Sequence, residues 1–221
     1  MNIRFLLLLA LPIQLLTSCM TESSRHKQVN LVEKATPEFV DFTFNEAKSV
    51  YEVKTEDLIL DRACESVTYY GEKFDLGMRE MSGEDVNYFY CKPSLMKLDN
   101  GVVLKLAYGA ESPGETLLVF LDPVKGLTNK LELATGGEYD YKFIYKVANS
   151  NLLAAVNGTL YNIDLNSETL LEQFELKYRR FGDQTKEILI KAPTTIEVIR
   201  TQEGSNERYV ETVHPVTALK L

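Results

Sequence analysis

The feature that most restricts the fold of this chain is an alternation of apolar and polar residues with a period of two. In the segment YDYKFIYKVA, the apolar residues share one face of an extended strand: Tyr139, Tyr141, Phe143, Tyr145 and Val147. One face of that strand is expected to join a core and the other to meet solvent. The segment VVLKLAYG follows the same pattern. The segment TLLVFLD is apolar on both faces, which predicts a strand covered on both sides.

Turn signals divide the rest of the chain into further short strands. Asn157-Gly158 stands between LLAAV and TLYNIDL, and this pair readily takes positive φ at both centres of a type I′ turn, so a hairpin is predicted there. Three more strands are predicted near the end of the chain, in EILIKA, TIEVIRTQ and ERYVETV. Upstream, FVDFTF, SVYEV and DLIL predict shorter strands. No long, capped helical pattern dominates.

Two segments about 40 residues apart share one pattern. LLVFLDPVKGLTNKLEL and TLYNIDLNSETLLEQFEL each read as strand, aspartate, turn and strand, with Asp122 and Asp164 at matching places. Over residues 102–182 this spacing resembles the four-stranded blades of β-propellers. We therefore expect an all-β fold of antiparallel sheets with small or partial propeller-like repeats; a β-sandwich or a meander is the alternative. Residues 167–181 also fit a helix ending at Gly182, although the repeat favours strands.

The leader MNIRFLLLLALPIQLLTS has one charge at Arg4, an apolar run and then small residues, the order found in secretory signal peptides. The apolar run is too short to span a membrane, since a helix of that length covers about 18 Å of a core roughly 30 Å thick. The leader ends in Leu16-Thr17-Ser18-Cys19, which resembles the lipobox of bacterial lipoproteins. The alternative is an ordinary signal peptide with an incidental cysteine.

The lipoprotein resemblance implies cleavage between Ser18 and Cys19, acylation of the Cys19 thiol with fatty acids such as palmitate, and acylation of the freed amine. Residues 1–18 would then be a signal peptide, 19–28 a lipidated tether, and 29–221 one β-rich domain. The chain would be attached to a membrane by its lipids in the bacterial cell envelope. Met20 occupies the place of the aspartate that retains enteric lipoproteins in the inner membrane, so the expected location is the outer membrane, facing the periplasm.

The charge of the chain argues against nucleic acid as a partner. Removing the leader takes away Arg4 from 24 basic residues and none of the 32 acidic ones, which leaves a net charge of −9 before the terminus is modified. A domain with this excess of acid gains nothing from contact with a polyanion.

Two cysteines remain if Cys19 carries lipid. An even pair in an oxidising compartment predicts a disulfide between Cys64 and Cys91, and both residues fall in segments expected to be extended. Such a bridge is worth about 3–4 kcal/mol in the chain-entropy description. Two buried free thiols are the alternative.

Sequence motifs give no catalytic residue. Ser94-Leu95-Met96-Lys97 matches the S-x-x-K of penicillin-recognising enzymes, but the chain has no K-T-G and the match lies among predicted strands. The two histidines, His26 in the tether and His214 beside a proline, form no triad or zinc cluster with recognisable spacing.

Sequence motifs give no metal or cofactor site either. Asp164, Asn166, Glu168 and Glu175 have the spacing of a calcium-binding loop, but Thr169 stands where such a loop needs glycine. We expect an ordinary turn with solvated carboxylates there.

The expected function is therefore binding or scaffolding of a protein partner in the cell envelope, rather than catalysis. Two alternatives remain. One is a periplasmic inhibitor or immunity protein against a secreted hydrolase, and the other is an envelope hydrolase that uses two of the 32 carboxylates.

Overall fold

The structure, a computed structural model, describes six stretches of the chain: residues 37–77, 90–109, 115–133, 143–177, 183–202 and 207–220. Every helix or strand assigned in these stretches is a β-strand, and all paired neighbours are antiparallel, so the predicted all-β class is confirmed. None of these stretches forms a helix with the length and hydropathy needed to cross a membrane. The leader, Cys19 and the tether lie outside the described residues.

The strands form four sheets. Sheet I contains β2 to β6 in spatial order: Thr43–Asn45, Val50–Glu52, Leu58–Asp61, Ser66–Tyr69 and Glu72–Asp75. Sheet II has the order β1-β7-β8-β9-β10: Phe39–Asp41, Tyr90–Leu98, Gly101–Gly109, Glu115–Asp122 and Gly126–Leu133. Sheet III contains β11 to β14: Ile144–Ala148, Asn151–Val156, Thr159–Asp164 and Thr169–Glu175. Sheet IV contains β15 to β17: Asp183–Ala192, Thr195–Gln202 and Arg208–Val213.

Successive sheets pack face to face around three apolar cores. The first core joins sheets I and II and includes Leu60, Val67, Leu104 and Val119. The second joins sheets II and III, and the third joins sheets III and IV. Four stacked sheets built mostly from consecutive strands match the predicted blade-like repeat better than a two-sheet sandwich.

The two predicted repeats occupy equivalent places in sheets II and III. Asp122 ends β9 and Asp164 ends β13, each the third of four consecutive strands. The Asp122 carboxylate accepts hydrogen bonds from the backbone N–H groups of the residues two and three positions later, at 2.8 and 2.9 Å. The Asp164 carboxylate does the same, at 2.8 and 3.3 Å. Aspartate recurs because its side chain closes this turn.

The predicted hairpin at Asn157-Gly158 is confirmed, with φ values of 48° and 75°. The segment that also fitted a helix forms β14 as far as Glu175; residues 178–182 lie outside the described part. Phe143, Tyr145 and Val147 belong to the second core, as the alternation predicted. Tyr139 and Tyr141 of the same pattern are not among the described residues.

The prediction that one face of the strand VVLKLAYG is exposed to solvent is wrong. Val102, Val103 and Leu104 are all buried, because β8 lies at the centre of a sheet that is covered on both sides. Lys105 is half-buried with its Nζ 4.9 Å from the centre of the Phe143 ring, a favourable contact for a cation. Burial lowers the pKa of this lysine below its usual value.

FVDFTF was predicted as one strand but forms two. The chain leaves sheet II at Phe42, where the backbone N–H donates to the Pro93 carbonyl at 3.3 Å. Val40 in β1 pairs with Leu95 of β7, whereas Phe44 in β2 pairs with Tyr51 of β3. Alternation alone does not say which sheet a strand joins. This crossing links sheets I and II through the backbone.

After β17, residues 214–220 form a segment without strand structure, which we call the C-terminal strap. The backbone N–H groups of Val216 and Thr217 donate to the Glu172 carboxylate. Leu219 is buried in the third core, and Lys220 pairs with Asp164 at 3.0 Å. The strap therefore fastens sheet III to sheet IV.

Candidate functional site

A cleft of ≈ 410 Å³ opens where one end of sheet I meets one end of sheet II. Sheet I contributes the loop before β4 and the end of β5. Sheet II contributes the β7–β8 turn and the β9–β10 turn. The residues that line it are Glu56, Tyr69, Tyr70, Lys97, Leu98, Asp99, Asn100, Gly101, Asp122, Pro123 and Val124. We take this cleft as the candidate site because it combines concavity, aromatic rings and charge.

Tyr70 is the unusual residue of the cleft. It occupies the first centre of the tight β5–β6 turn with a φ of 48°, followed by Gly71 at 79°. The other tight hairpin turn described above places Asn157 at the same φ, and asparagine tolerates this conformation far better than a tyrosine does. The left-handed region costs an ordinary residue roughly 1–2 kcal/mol. The turn thus holds a tyrosine where folding alone favours asparagine or glycine.

Tyr70 is 54% exposed, and its ring lies 4.7 Å, centre to centre, from the ring of the buried Tyr69. The two planes are tilted by 59°. Burial raises the pKa of Tyr69 to about 12, and the neighbouring Tyr70, Glu56 and Asp122 act in the same direction. The Tyr69 hydroxyl therefore keeps its proton to a higher pH than an ordinary tyrosine does.

An ion pair joins the two sheets across the cleft. Lys97 Nζ donates to Glu56 Oε1 at 2.6 Å, with the Glu56 side chain only 6% exposed and that of Lys97 69% exposed. The hydrogen bond to Glu56 raises the pKa of Lys97 above its usual value. Glu56 is thus committed to a structural contact between sheets I and II.

Asp122 is held as a carboxylate by its own turn. Hydrogen bonds from the backbone N–H groups of Lys125 and Val124 lower its pKa below the usual value. Val124, at the tip of the same turn, is 91% exposed. The turn presents a fixed negative charge beside an exposed apolar side chain.

The predicted disulfide is confirmed and stabilises the sheet pair that forms the cleft. Cys64 and Cys91 are bonded, with their Cα atoms 6.1 Å apart. Cys91 lies near the start of β7, whereas Leu98 at the end of β7 lines the cleft. The bridge and the cleft are therefore at opposite ends of the strand.

The surroundings of the bridge differ from the prediction in one respect. Cys64 was expected in a strand, but it lies in the β4–β5 turn with a φ of 55°. Two tyrosine hydroxyls bind the cysteine carbonyls across the sheets: Tyr108 donates to Cys64 at 3.1 Å, and Tyr51 donates to Cys91 at 2.9 Å. Reciprocal hydrogen bonds thus reinforce the covalent link.

The serine–lysine motif is not brought together. Ser94 and Lys97 both lie on β7, and residues three apart on a strand point to opposite faces. Ser94 is buried at 1% exposure, whereas Lys97 reaches the cleft. The spacing of the penicillin-recognising enzymes requires a helix that this segment does not form.

The structure also shows where two of the residues with calcium-loop spacing lie. Asp164 closes a β-turn and pairs with Lys220, and Glu175 ends the following strand. Among the residues that the structure describes, no group of three or more His, Cys, Asp or Glu side chains is arranged to hold a metal ion. His214 Nδ1 lies 3.2 Å from the Thr194 carbonyl oxygen.

Sequence reasoning missed the tyrosine pair. The letters TYYGEKF contain the only available signal, a Tyr-Gly pair between two short alternating runs, in place of the usual Asn-Gly. If Tyr70-Gly71 is interpreted as a tight turn, Tyr70 occupies a position whose backbone conformation disfavours tyrosine, which marks it as a candidate functional residue.

Comparisons with known proteins identify no family. No family model matches the chain, and no curated protein matches it. Among solved structures, the chain is similar to the WD40 domain of SCAP from fission yeast, with 10% sequence identity and a TM-score of 0.24. The match covers 79% of this chain and 52% of the other, so the chain spans about half of that structure's length. A TM-score this low carries no argument about fold or function.

Proposed function

We propose that this chain is a lipid-anchored protein of the bacterial cell envelope that binds a protein partner through the cleft. Its lipids would be attached at Cys19, with the domain facing the periplasm from the outer membrane. The lipobox-like leader supports the anchor. The Cys64–Cys91 disulfide supports an oxidising compartment outside the cytoplasm.

The exposed Tyr70 ring is the observation that carries the binding proposal. Tyrosine is enriched among the few residues that supply most of the energy in protein interfaces. Here a tyrosine is kept in a turn whose backbone disfavours it, and the residue is 54% exposed at a cleft. Residues held in costly conformations cluster at functional sites. A contact made by this ring in a complex would account for its presence.

The arrangement gives no comparable support to a hydrolase. Ser94 and Lys97 are on opposite faces of β7, so the lysine does not activate the serine. A glycosidase needs one carboxylic acid whose pKa is raised so that it donates a proton. The pKa of Asp122 is instead lowered.

Photo-crosslinking from position 70 tests the proposed function. The full chain would be produced in its native membrane with Tyr70 replaced by p-benzoylphenylalanine and then irradiated. We expect one discrete protein adduct. The matched control carries the same group in place of Val210, which is 49% exposed on sheet IV and does not line the cleft.

The outcome would be read from both positions. An adduct that forms at position 70 and not at position 210 supports a partner at the cleft, and mass spectrometry would identify it. Absence of an adduct at position 70, or the same adducts from both positions, would contradict the proposal.

A further inference from the structure

The charged groups of the cleft are unbalanced. Its acidic side chains are Glu56, Asp99 and Asp122, and its basic side chain is Lys97. Lys97 is already engaged by Glu56 at 2.6 Å. The hydrogen bonds to Asp122 come from backbone N–H groups, which carry no net charge, and the nearby Lys125 also favours the ionised carboxylate. Acidic side chains therefore outnumber basic ones in the lining of the cleft.

An aromatic surface accompanies this charge. The exposed ring of Tyr70 lies against Tyr69, and both line the same cleft as Asp122. Glu56 lines the same cleft as well. The face of a tyrosine ring attracts a cation, as an ionised carboxylate does. Aromatic and acidic groups thus favour the same kind of ligand.

We infer that the cleft accepts an arginine side chain of a basic protein partner, stacked on Tyr70 and paired with Asp122. The inference rests on the proposed function and names the chemistry of the partner. Arginine suits the site better than lysine, because its planar guanidinium stacks on a ring and donates in a fork to a carboxylate. The acidic chain, with a net charge of −8 over the whole sequence, also steers a basic partner toward it.

Tyr70→Asn separates binding from folding. Asparagine is well suited to the φ of 48° and keeps the turn, but it removes the ring. The melting temperature should therefore stay the same or rise while binding weakens. Asp122→Asn retains an oxygen that accepts the two backbone hydrogen bonds and removes the charge. Glu187→Gln, on an exposed position of sheet IV, is the matched control for loss of one acidic charge.

The probe is a labelled glycine–serine peptide with arginine at alternate positions, and its neutral match carries citrulline instead. Fluorescence anisotropy would measure the binding of each to the detergent-solubilised full chain. We expect the arginine peptide to bind more tightly than the citrulline peptide. Tyr70→Asn should weaken it by about threefold to thirtyfold, Asp122→Asn by about twofold or more, and Glu187→Gln not at all.

Three results would overturn the inference. These are equal binding of the citrulline peptide, unchanged binding by Tyr70→Asn, or displacement of the arginine peptide by a neutral N-acetylglucosamine oligosaccharide, which would assign the cleft to sugars. The crosslinking experiment at position 70 tests the proposed function independently of these three results. A crosslinked partner whose binding does not need arginine would defeat this inference alone, whereas no crosslink defeats the proposed function.

Discussion

Gly126 lies where two sheets approach so closely that a side chain would not fit. A Cβ atom added there would lie 2.3 Å from the ring of Phe74, and the φ of 75° also disfavours a side chain. Phe74 belongs to β6 of sheet I, and Gly126 begins β10 of sheet II. The missing side chain therefore lets the two sheets meet at this point.

Gly126→Ala should lower the free energy of unfolding by about 2–4 kcal/mol, because strain and overpacking combine. Gly71→Ala is the matched control: its φ of 79° is similar, but nothing lies within 4 Å of the new Cβ, so it should cost only about 1 kcal/mol. Urea unfolding of both variants measures the difference. Equal losses would show that the Phe74 contact imposes no constraint.

The pKa of Tyr69 predicts a loss of stability at alkaline pH. Below pH about 10 tyrosine is protonated in both states, so its contribution is constant. Between about 10 and about 12 the unfolded chain releases this proton and the native chain keeps it, so the free energy of unfolding should fall as pH rises. Tyr69→Phe should show a smaller fall in the same range. The same slope in both proteins would contradict the assignment.

At the scale of elements, alternation of apolar residues located the strands but not their neighbours. β9, β12, β13 and the strands of sheet IV follow directly from the letters, because buried side chains must be apolar on the face that is covered. The division of FVDFTF between two sheets depends on Pro93 and β3, which are distant in the sequence. The burial of both faces of β8 likewise depends on distant parts of the sequence, because sheets I and III cover it from opposite sides.

The cleft was less predictable than the strands. Glu56 and Lys97 are separated along the chain and meet only because sheets I and II stack. The turn aspartates Asp122 and Asp164 could be predicted as equivalent, since each caps its own turn through local hydrogen bonds. Hydrogen bonds within a turn could be predicted from the sequence, whereas contacts between sheets could not.

The C-terminal strap should contribute measurable stability through one side chain. Leu219 is 3% exposed in the third core, and its removal in Leu219→Ala should cost about 2–4 kcal/mol. Val216→Ala, in the same strap but 93% exposed, should change the free energy of unfolding by less than about 0.5 kcal/mol. Thermal unfolding compares the two. A small loss for Leu219→Ala would mean that the strap does not fasten sheets III and IV.

At the scale of the whole molecule, each sheet packs on the next, so stability is distributed over three cores. Stacked architectures of this kind depend on contacts between neighbours. The first of the three interfaces is also held by the disulfide, the paired tyrosine hydroxyls and the Glu56–Lys97 ion pair. Sheets I and II, which carry the cleft, are therefore joined by a covalent bond as well as by packing.

Reduction of the Cys64–Cys91 bridge should lower the melting temperature. The chain-entropy description assigns about 3–4 kcal/mol to a loop of this size, whose sequence separation is 27. The double variant Cys64→Ala with Cys91→Ala should reproduce the loss without reductant. Adding reductant to that variant should then have no further effect. Melting temperatures that do not change on reduction would contradict the expected contribution.

Lipidation at Cys19 is testable on the intact protein. Mass spectrometry of material from the native membrane should show a chain that begins at Cys19 and carries acyl mass. Cys19→Ser should remove the acyl groups and release the protein from the membrane fraction, because two or three buried acyl chains provide the attachment. An unacylated product cut at another residue would contradict the lipoprotein proposal.

The pairing of β1 with β7 sets an order in which the strands can pair during synthesis. Strands of sheets III and IV lie next to their partners in sequence, so they can pair as soon as they leave the ribosome. β1 leaves first but has no partner until the whole of sheet I and then β7 have followed it. This early strand therefore remains unpaired, with open edges, until residues made much later are available. A chaperone that shields this edge would act in that interval.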